Sequence, residues 1–264
     1  MKFSLVMTLS AWLIVCQAHE PHYYAMNNDP ALVVQDETLK AVDDDFELMK
    51  GQIAEDYHCD PDHPYRARME NRDPHLMIID NFISQAEALH LIAIAQPEMQ
   101  RSKVVADTDE NKLSTGRTSF NTFLSRSQDA VVHCIEQRAS RIVGKPLANM
   151  EPLQVVWYRK GQEYQPHYDY FAQGYAGTDR ELKRGGQRIA TFFVYLNTLK
   201  EDQGGATTFP TLNLNVKPVQ GSAAFWYDVQ VDGTDDPRTL HGGAPVHYGE
   251  KYGLNIWVRE GEFN

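Results

Sequence analysis

The pattern of apolar and polar positions divides the chain into three stretches. Residues 3–15 form one apolar run, broken only by Ser4, Thr8 and Ser10. Residues 19–75 are polar, acidic and without a period, although 38–49 has the spacing of a short helix. From Leu76 onward the apolar positions become periodic. Leu76-Met77-Ile78-Ile79 reads as a short strand. Ser84, with Glu87 three positions later, is a capping-box signature, and it opens a helix whose Leu89, Ile92 and Ala93 share a face. A second helix is expected over 128–143, where Val131, Ile135, Ala139 and Ile142 recur at helical spacing and Gly144 marks the stop. After Glu151 the segments 153–159, 189–197, 222–227 and 252–259 are rich in Val, Ile, Phe, Trp and Tyr, with Gly-rich breaks between them. Strands without crossover helices predict an antiparallel sandwich or jelly roll, here backed by the two helices. The fold class expected is α+β, mainly β.

Composition changes little in this picture and excludes several functions. Apolar residues are 42% and charged residues 23% of 264, which is ordinary globular composition. Asp and Glu number 36 against 25 Lys and Arg, a formal charge of −11. Such a chain repels nucleic acid and anionic membranes, so neither is expected as a partner. Lys2, the apolar run and the small residues Cys16 and Ala18 resemble a secretory signal cleaved after Ala18. The alternative is an uncleaved anchor, although the run is shorter than the ~20 residues of a membrane span. Three domains are therefore expected: a signal peptide over 1–18, a polar acidic extension over 19–75, and one globular domain over 76–264. Within the last, 76–150 supplies helical support and 151–260 the β core. The expected location is the secretory pathway, in the endoplasmic reticulum lumen or outside the cell, with no stable membrane insertion after cleavage. Cys59 and Cys134 would remain as candidates for a bridge. The stretch His58-Cys59-Asp60-Pro61-Asp62-His63 has no ligand spacing with a defined geometry.

The candidate chemistry lies in the β half. In Gln165-Pro166-His167-Tyr168-Asp169, residues two apart in a strand point to one side, so His167 and Asp169 offer an imidazole and a carboxylate to one point. His241, just ahead of the last strand, is the candidate third ligand, with His247 as a weaker competitor. Two His and one carboxylate leave coordination positions open, which suits non-heme Fe(II) oxygen chemistry. Taken singly, either histidine would serve equally well as a structural residue. In the final strand, Tyr252, Leu254, Ile256 and Val258 form the apolar side, which turns Lys251, Asn255, Trp257 and Arg259 to the other. A buried Lys251 ammonium needs an anion. A dicarboxylic keto acid, with one end on iron and the other on Lys251, meets that need.

These residues resemble those of the Fe(II)/2-oxoglutarate dioxygenases, and more closely the prolyl 4-hydroxylase family. The resemblance is carried by Arg117-Thr118-Ser119-Phe120, by Leu153-Gln154-Val155-Val156-Trp157-Tyr158, by His167-x-Asp169 and by Gly185-Gly186-Gln187-Arg188. Gly204-Gly205-Ala206-Thr207 and the stretch from His241 to Trp257 complete it, over about residues 76–260. Ala206 stands where the family often has Glu, and Tyr252 where Trp is common after the Lys; neither is a ligand.

The resemblance implies a double-stranded β-helix core and iron on His167, Asp169 and His241. It implies 2-oxoglutarate bound by Lys251 and Tyr158, with Trp257 close by and Thr191 lining the same pocket. Glu151, Tyr164, Arg188 and Arg259 match positions at the peptide groove. Tyr164 and Trp257 would also serve as core aromatics, and Arg188 as a surface ion pair. The activity implied is peptidyl-prolyl 4-hydroxylation of Pro-rich or collagen-like peptides, releasing succinate and CO2, with ascorbate as an auxiliary reductant. The rival expectations are a lysyl or small-molecule dioxygenase, and a non-catalytic jelly-roll binding module that has kept its metal residues. The oligomeric state is open.

Overall fold

A computed structural model describes residues 57–60, 63–104, 112–113, 115–172 and 176–264. The expected signal segment, the helix at 38–49 and most of the polar extension lie outside the described residues. The strands are β1 (Arg66–Arg72), β2 (His75–Asp80), β3 (Gln100–Arg101), β4 (Lys103–Val104), β5 (Lys112–Leu113), β6 (Phe120–Leu124) and β7 (Leu153–Tyr158). They continue as β8 (Tyr164–His167), β9 (Arg188–Tyr195), β10 (Thr207–Phe209), β11 (Leu214–Val216), β12 (Ala223–Tyr227), β13 (His241–Gly243) and β14 (Lys251–Arg259). Among the described residues three α-helices accompany them: α1 (Gln85–Ala95), α2 (Ala130–Val143) and α3 (Ala176–Leu182).

An eight-stranded sheet runs β1-β2-β12-β9-β14-β7-β6-β3, and a four-stranded sheet runs β11-β10-β13-β8. Every pairing in both sheets is antiparallel. This is the two-sheet jelly-roll arrangement expected from strands without crossovers. β14 is its spine. Tyr252, Leu254, Ile256 and Val258 join Leu91, Ile92, Val131 and Ile135 in the core between the large sheet and helices α1 and α2. The opposite face of the large sheet contributes Val156, Tyr158, Phe193 and Tyr195 to a second core with Phe209 and Val246. The period of two thus separates an apolar seam from a functional one on the same strand.

The helices start and stop where the sequence signals them. Ser84 Oγ accepts from the Glu87 amide at 3.1 Å, and Glu87 Oε2 accepts from the Ser84 amide at 2.7 Å. Asp129 caps α2 by accepting from the Val132 amide, and Gly144 ends it in the left-handed region at φ 71°. Of the expected face of α1, Ile92 and Ala93 are buried, together with Ala88, Leu91 and Ala95, while Leu89 is half-buried.

Two departures concern the extension. β1 lies within the stretch read as an extension, yet it pairs with β2 from Arg66↔Asp80 to Arg72↔His75, so the sheet begins ahead of residue 76. Ahead of it, Cys59 is joined to Cys134 in α2 by a disulfide closing a separation of 75 residues. Tyr57 Oη reaches Glu87 Oε1 at 2.5 Å, and Arg138 Nη2 binds the same carboxylate oxygen at 3.0 Å. Glu87 therefore caps one helix while joining it to the next and to the chain before β1.

Candidate active site

The three candidate metal ligands come together because two short strands pair. β8 and β13 are antiparallel, with His167 directly opposite His241. Asp169 follows two residues after His167, just beyond the strand end. One donor atom from each of the three lies within 4.8 Å of the others. The Asp169 carboxylate oxygens are 3.9 Å from His167 Nε2 and 3.5 Å from His241 Nε2.

The rings are fixed from behind. Backbone carbonyls lie opposite both Nδ1 atoms, Gln165 O at 2.9 Å and Thr239 O at 3.0 Å. A carbonyl only accepts, so each Nδ1 carries the proton and each Nε2 lone pair turns to the common point. Burial, reinforced by the neighbouring His241, pushes the His167 pKa down to about 3 and keeps the ring neutral. Burial works against the Asp169 carboxylate, but His241, His167 and Arg188 outweigh it and hold its pKa below the usual range. Two imidazole Nε2 atoms and one carboxylate on one side of a point suit a divalent metal with positions left for exchangeable ligands.

Thr191 sits behind Asp169 in a way the sequence did not disclose. Its hydroxyl is 2.9 Å from Asp169 Oδ2 and 2.9 Å from Asp228 Oδ2. One hydroxyl has one hydrogen to give. Asp228 is fully buried and accepts from Trp226 Nε1 at 2.8 Å on its other oxygen. Burial first, then the Asp169 charge, raise the Asp228 pKa well above its ordinary value. Asp228 is therefore the neutral acid that donates to Thr191, and Thr191 donates to Asp169. Thr191 thus supports a metal ligand and does not line the Lys251 pocket, which corrects its expected role.

Lys251 lies at the floor of a cavity of about 870 Å³ that also contains His167, Asp169 and His241. It is 2% exposed. Its Nζ is 4.8 Å from the Phe193 ring centre, 5.5 Å from Tyr158 and 5.7 Å from Tyr195. Among the described residues it has neither a carboxylate nor a hydrogen-bond partner. Burial pushes its pKa down to about 7. Tyr158 is its register partner across β7 and β14, and both line the cavity. A buried ammonium among π-faces, with empty space before it, fits the distal carboxylate of 2-oxoglutarate.

The other expected residues divide between cavity and framework. Trp257 pairs with Thr191 across β9 and β14, so it stands at the metal end, six residues along the strand from Lys251 and not beside it. It carries the Arg188 guanidinium 3.7 Å above its ring. Arg188 makes a two-pronged ion pair with Glu151, at 2.6 and 2.9 Å, and reaches the Asp169 carbonyl at 3.4 Å. Tyr164 stacks on His167 with ring centres 3.5 Å apart. Arg259 is wholly buried, bonding Glu151 at 2.5 Å and the carbonyls of Glu181 and Gly186. It braces α3 against Glu151 and does not line the groove, which corrects its expected place there.

Sequence reasoning assigned no role to Arg117, Gln154, Asn255 or Phe193, which all line the cavity. The last three occupy inward positions of their strands, so alternation would have found them. His247 lies apart, with Nδ1 facing the Asp202 carbonyl at 3.3 Å.

The chain's likeness to known proteins agrees with this geometry. Residues 153–259 match the model of the 2OG-Fe(II) oxygenase superfamily. The chain is 37% identical over 211 residues to probable prolyl 4-hydroxylase 3 of Arabidopsis thaliana, covering 72% of this chain and 71% of that protein. It is 38% identical to prolyl 4-hydroxylase 5 of the same plant, covering 72% and 70%. Among solved structures it resembles the viral collagen prolyl hydroxylase of Paramecium Bursaria Chlorella virus-1 in its 2OG complex, with TM-score 0.56 and 30% identity, over 70% of this chain and 95% of that one. The chain belongs to the prolyl 4-hydroxylase family of 2-oxoglutarate- and Fe(II)-dependent oxygenases.

Proposed function

We propose that the chain is a peptidyl-prolyl 4-hydroxylase of the secretory pathway, acting on extended Pro-rich or collagen-like segments. The observation that carries this reading is the Lys251 ammonium, without a carboxylate among the described residues, in the same cavity as the His167, Asp169 and His241 donors. His167, Asp169 and His241 would hold Fe(II), and Lys251 with Tyr158 would hold the distal carboxylate of 2-oxoglutarate. With O2, these groups supply the oxidising power for the prolyl C–H bond, and 2-oxoglutarate leaves as succinate and CO2.

The protein's own contribution is geometry. Gln165 and Thr239 fix the imidazole tautomers, while Thr191 and Arg188 hold Asp169. Tyr164 covers one face of the His167 ring and shields it from water. The preformed shape of a polyproline II segment lowers the entropy lost on entering the open part of the cavity. Ascorbate is proposed as the auxiliary reductant of this activity. The Cys59–Cys134 disulfide and the apolar run at residues 3–15 support an oxidising, secretory location. Among the described residues no helix is long and apolar enough to cross a membrane.

The test is 2-oxoglutarate decarboxylation against Pro-rich and Lys-containing peptides, with product mapping and His167→Ala as control. Hydroxyl on proline with equimolar succinate is expected. Hydroxyl on lysine and never on proline would refute the reading.

A further inference from the structure

The arginines around the cavity fall into two groups. Arg188 pairs with Glu151 and lies near the Asp169 carboxylate, Arg259 pairs with Glu151 and Glu181, and Arg184 pairs with Glu181. Arg117 and Arg101, which also line the cavity, meet no carboxylate among the described residues. Arg117 is 6% exposed. Its Nη2 donates to Gln154 Oε1 at 2.9 Å, and its guanidinium lies 4.8 Å above the ring of Tyr164, the same ring that stacks on His167. Arg101 Nη1 donates to the carbonyls of Arg117 and Ser119 at 2.9 and 2.8 Å. Those carbonyls tie its guanidinium to the backbone of Arg117 and, among the described residues, bring no carboxylate to it. Glu98 lines the same cavity and forms an ion pair with neither.

A nearly buried guanidinium without a counter-ion is unfavourable, and removing such a charge ordinarily stabilises a fold. The chain has acid to spare, with 36 carboxylates against 25 cations. Arg117, one aromatic ring from His167, and Arg101, tied to its backbone, meet no carboxylate among the described residues and therefore point to an anion that arrives with the substrate. We propose that Arg117 and Arg101 form a carboxylate-recognising subsite, so that the preferred peptide carries an acidic group near its target proline. This deepens the prolyl hydroxylase reading and rests on it. A polyproline II segment advances about 3.1 Å per residue, which places the acidic group within about two residues of that proline. An Asp or Glu side chain and a peptide C-terminus share this chemistry.

The test uses the full chain loaded with Mn(II) and 2-oxoglutarate, and labelled, amidated Pro-rich peptides. Glu, Gln or Lys is placed in turn at each of the positions flanking one proline, and a further Gln peptide ends in a free carboxylate. Affinity is read by fluorescence anisotropy, and turnover of the same peptides with Fe(II) and O2 by product mass. At one position Glu should bind about fivefold to tenfold more tightly than Gln, as a charge-assisted bidentate pair does, with Lys weakest. The gap should narrow at high salt. Arg101→Gln should reduce it, and Arg117→Lys, which keeps the charge but loses the fork, should reduce it in part. A preference seen only with the free carboxylate would assign the subsite to a chain terminus. Equal binding of Glu and Gln at every position, or no binding by the Glu series, would overturn the proposal and leave the two guanidinia to peptide carbonyls. A Glu preference without hydroxylated proline would overturn the hydroxylase reading and leave the subsite standing.

Discussion

Lys251 and Tyr158 face each other across β14 and β7, and among the described residues the Lys251 ammonium meets no carboxylate. Room for this pair is made two residues further on. A Cβ at Gly253 would enter the ring of Phe193, which stands 4.8 Å from the Lys251 ammonium. The fold therefore maintains a pocket around an uncompensated charge, which is unfavourable for stability and useful only when an anion enters.

Removing that charge should separate binding from stability. Lys251→Met is expected to weaken 2-oxoglutarate binding by roughly 100-fold or more while leaving Mn(II) affinity within a few-fold. The same substitution should leave the unliganded protein as stable as before or more stable, by up to about 3 kcal/mol, because a buried unpaired ion is replaced by an apolar chain. Calorimetric titration and denaturant unfolding measure the two effects. A loss of stability with unchanged 2-oxoglutarate affinity would assign Lys251 a purely structural role.

The depressed Lys251 pKa has a definite sign. In the empty pocket the ammonium loses its proton above about pH 7, whereas in the unfolded chain it keeps it to 10.5. The unfolded state binds more protons across that window, so this group makes the unliganded fold more stable as pH rises through it. Binding of a carboxylate restores the charge. At pH 8.5 the Mn(II)-loaded protein should take up close to one proton per 2-oxoglutarate, and at pH 6 close to none. Titration in buffers of different ionisation heat counts these protons. The uptake at pH 8.5 should vanish in Lys251→Met.

Most of this arrangement was legible in the sequence because it depends on parity within strands. Alternation along β14 placed Lys251 opposite the apolar seam, and His167-x-Asp169 placed two ligands on one side. Parity is silent about what an inward residue meets. Arg259 has the parity of Lys251, yet Glu151 and Glu181 seal it into the framework, because carboxylates distant in sequence converge there. Thr191 likewise meets Asp228, one residue past the end of β12, because register sets Thr191 opposite Trp226 there. β1 was hidden for another reason. It is an edge strand with Arg66, Arg68 and Arg72 exposed, so it lacks the apolar alternation of a strand with one buried face.

The disulfide carries the chain ahead of β1. Closing a separation of 75 residues restrains the unfolded chain by about 4 kcal/mol on the loop-entropy account. Cys59→Ser should lower unfolding free energy by about 2 to 4 kcal/mol, measured in urea without reductant. Because Cys59 and Cys134 lie outside the cavity, 2-oxoglutarate affinity below the melting range should change little.

Asp228 provides the sharpest test of the metal support. As a neutral acid it donates through one oxygen to Thr191 and accepts from Trp226 through the other. An asparagine side chain offers the same donor and acceptor, so Asp228→Asn should keep metal affinity within about threefold. Asp228→Ala leaves the Trp226 N–H and one side of the Thr191 hydroxyl without a partner and loosens the hold of Thr191 on Asp169. Its metal affinity should fall about 10- to 100-fold, as losses behind a ligand commonly do. Thr191→Val should act in the same direction, since it removes the hydroxyl that joins the two carboxyl groups. Competition with a chromophoric chelator measures all three. Asparagine failing as badly as alanine would mean that Asp228 works as an ionised carboxylate, and the direction of the proton through Thr191 would then have to be reversed.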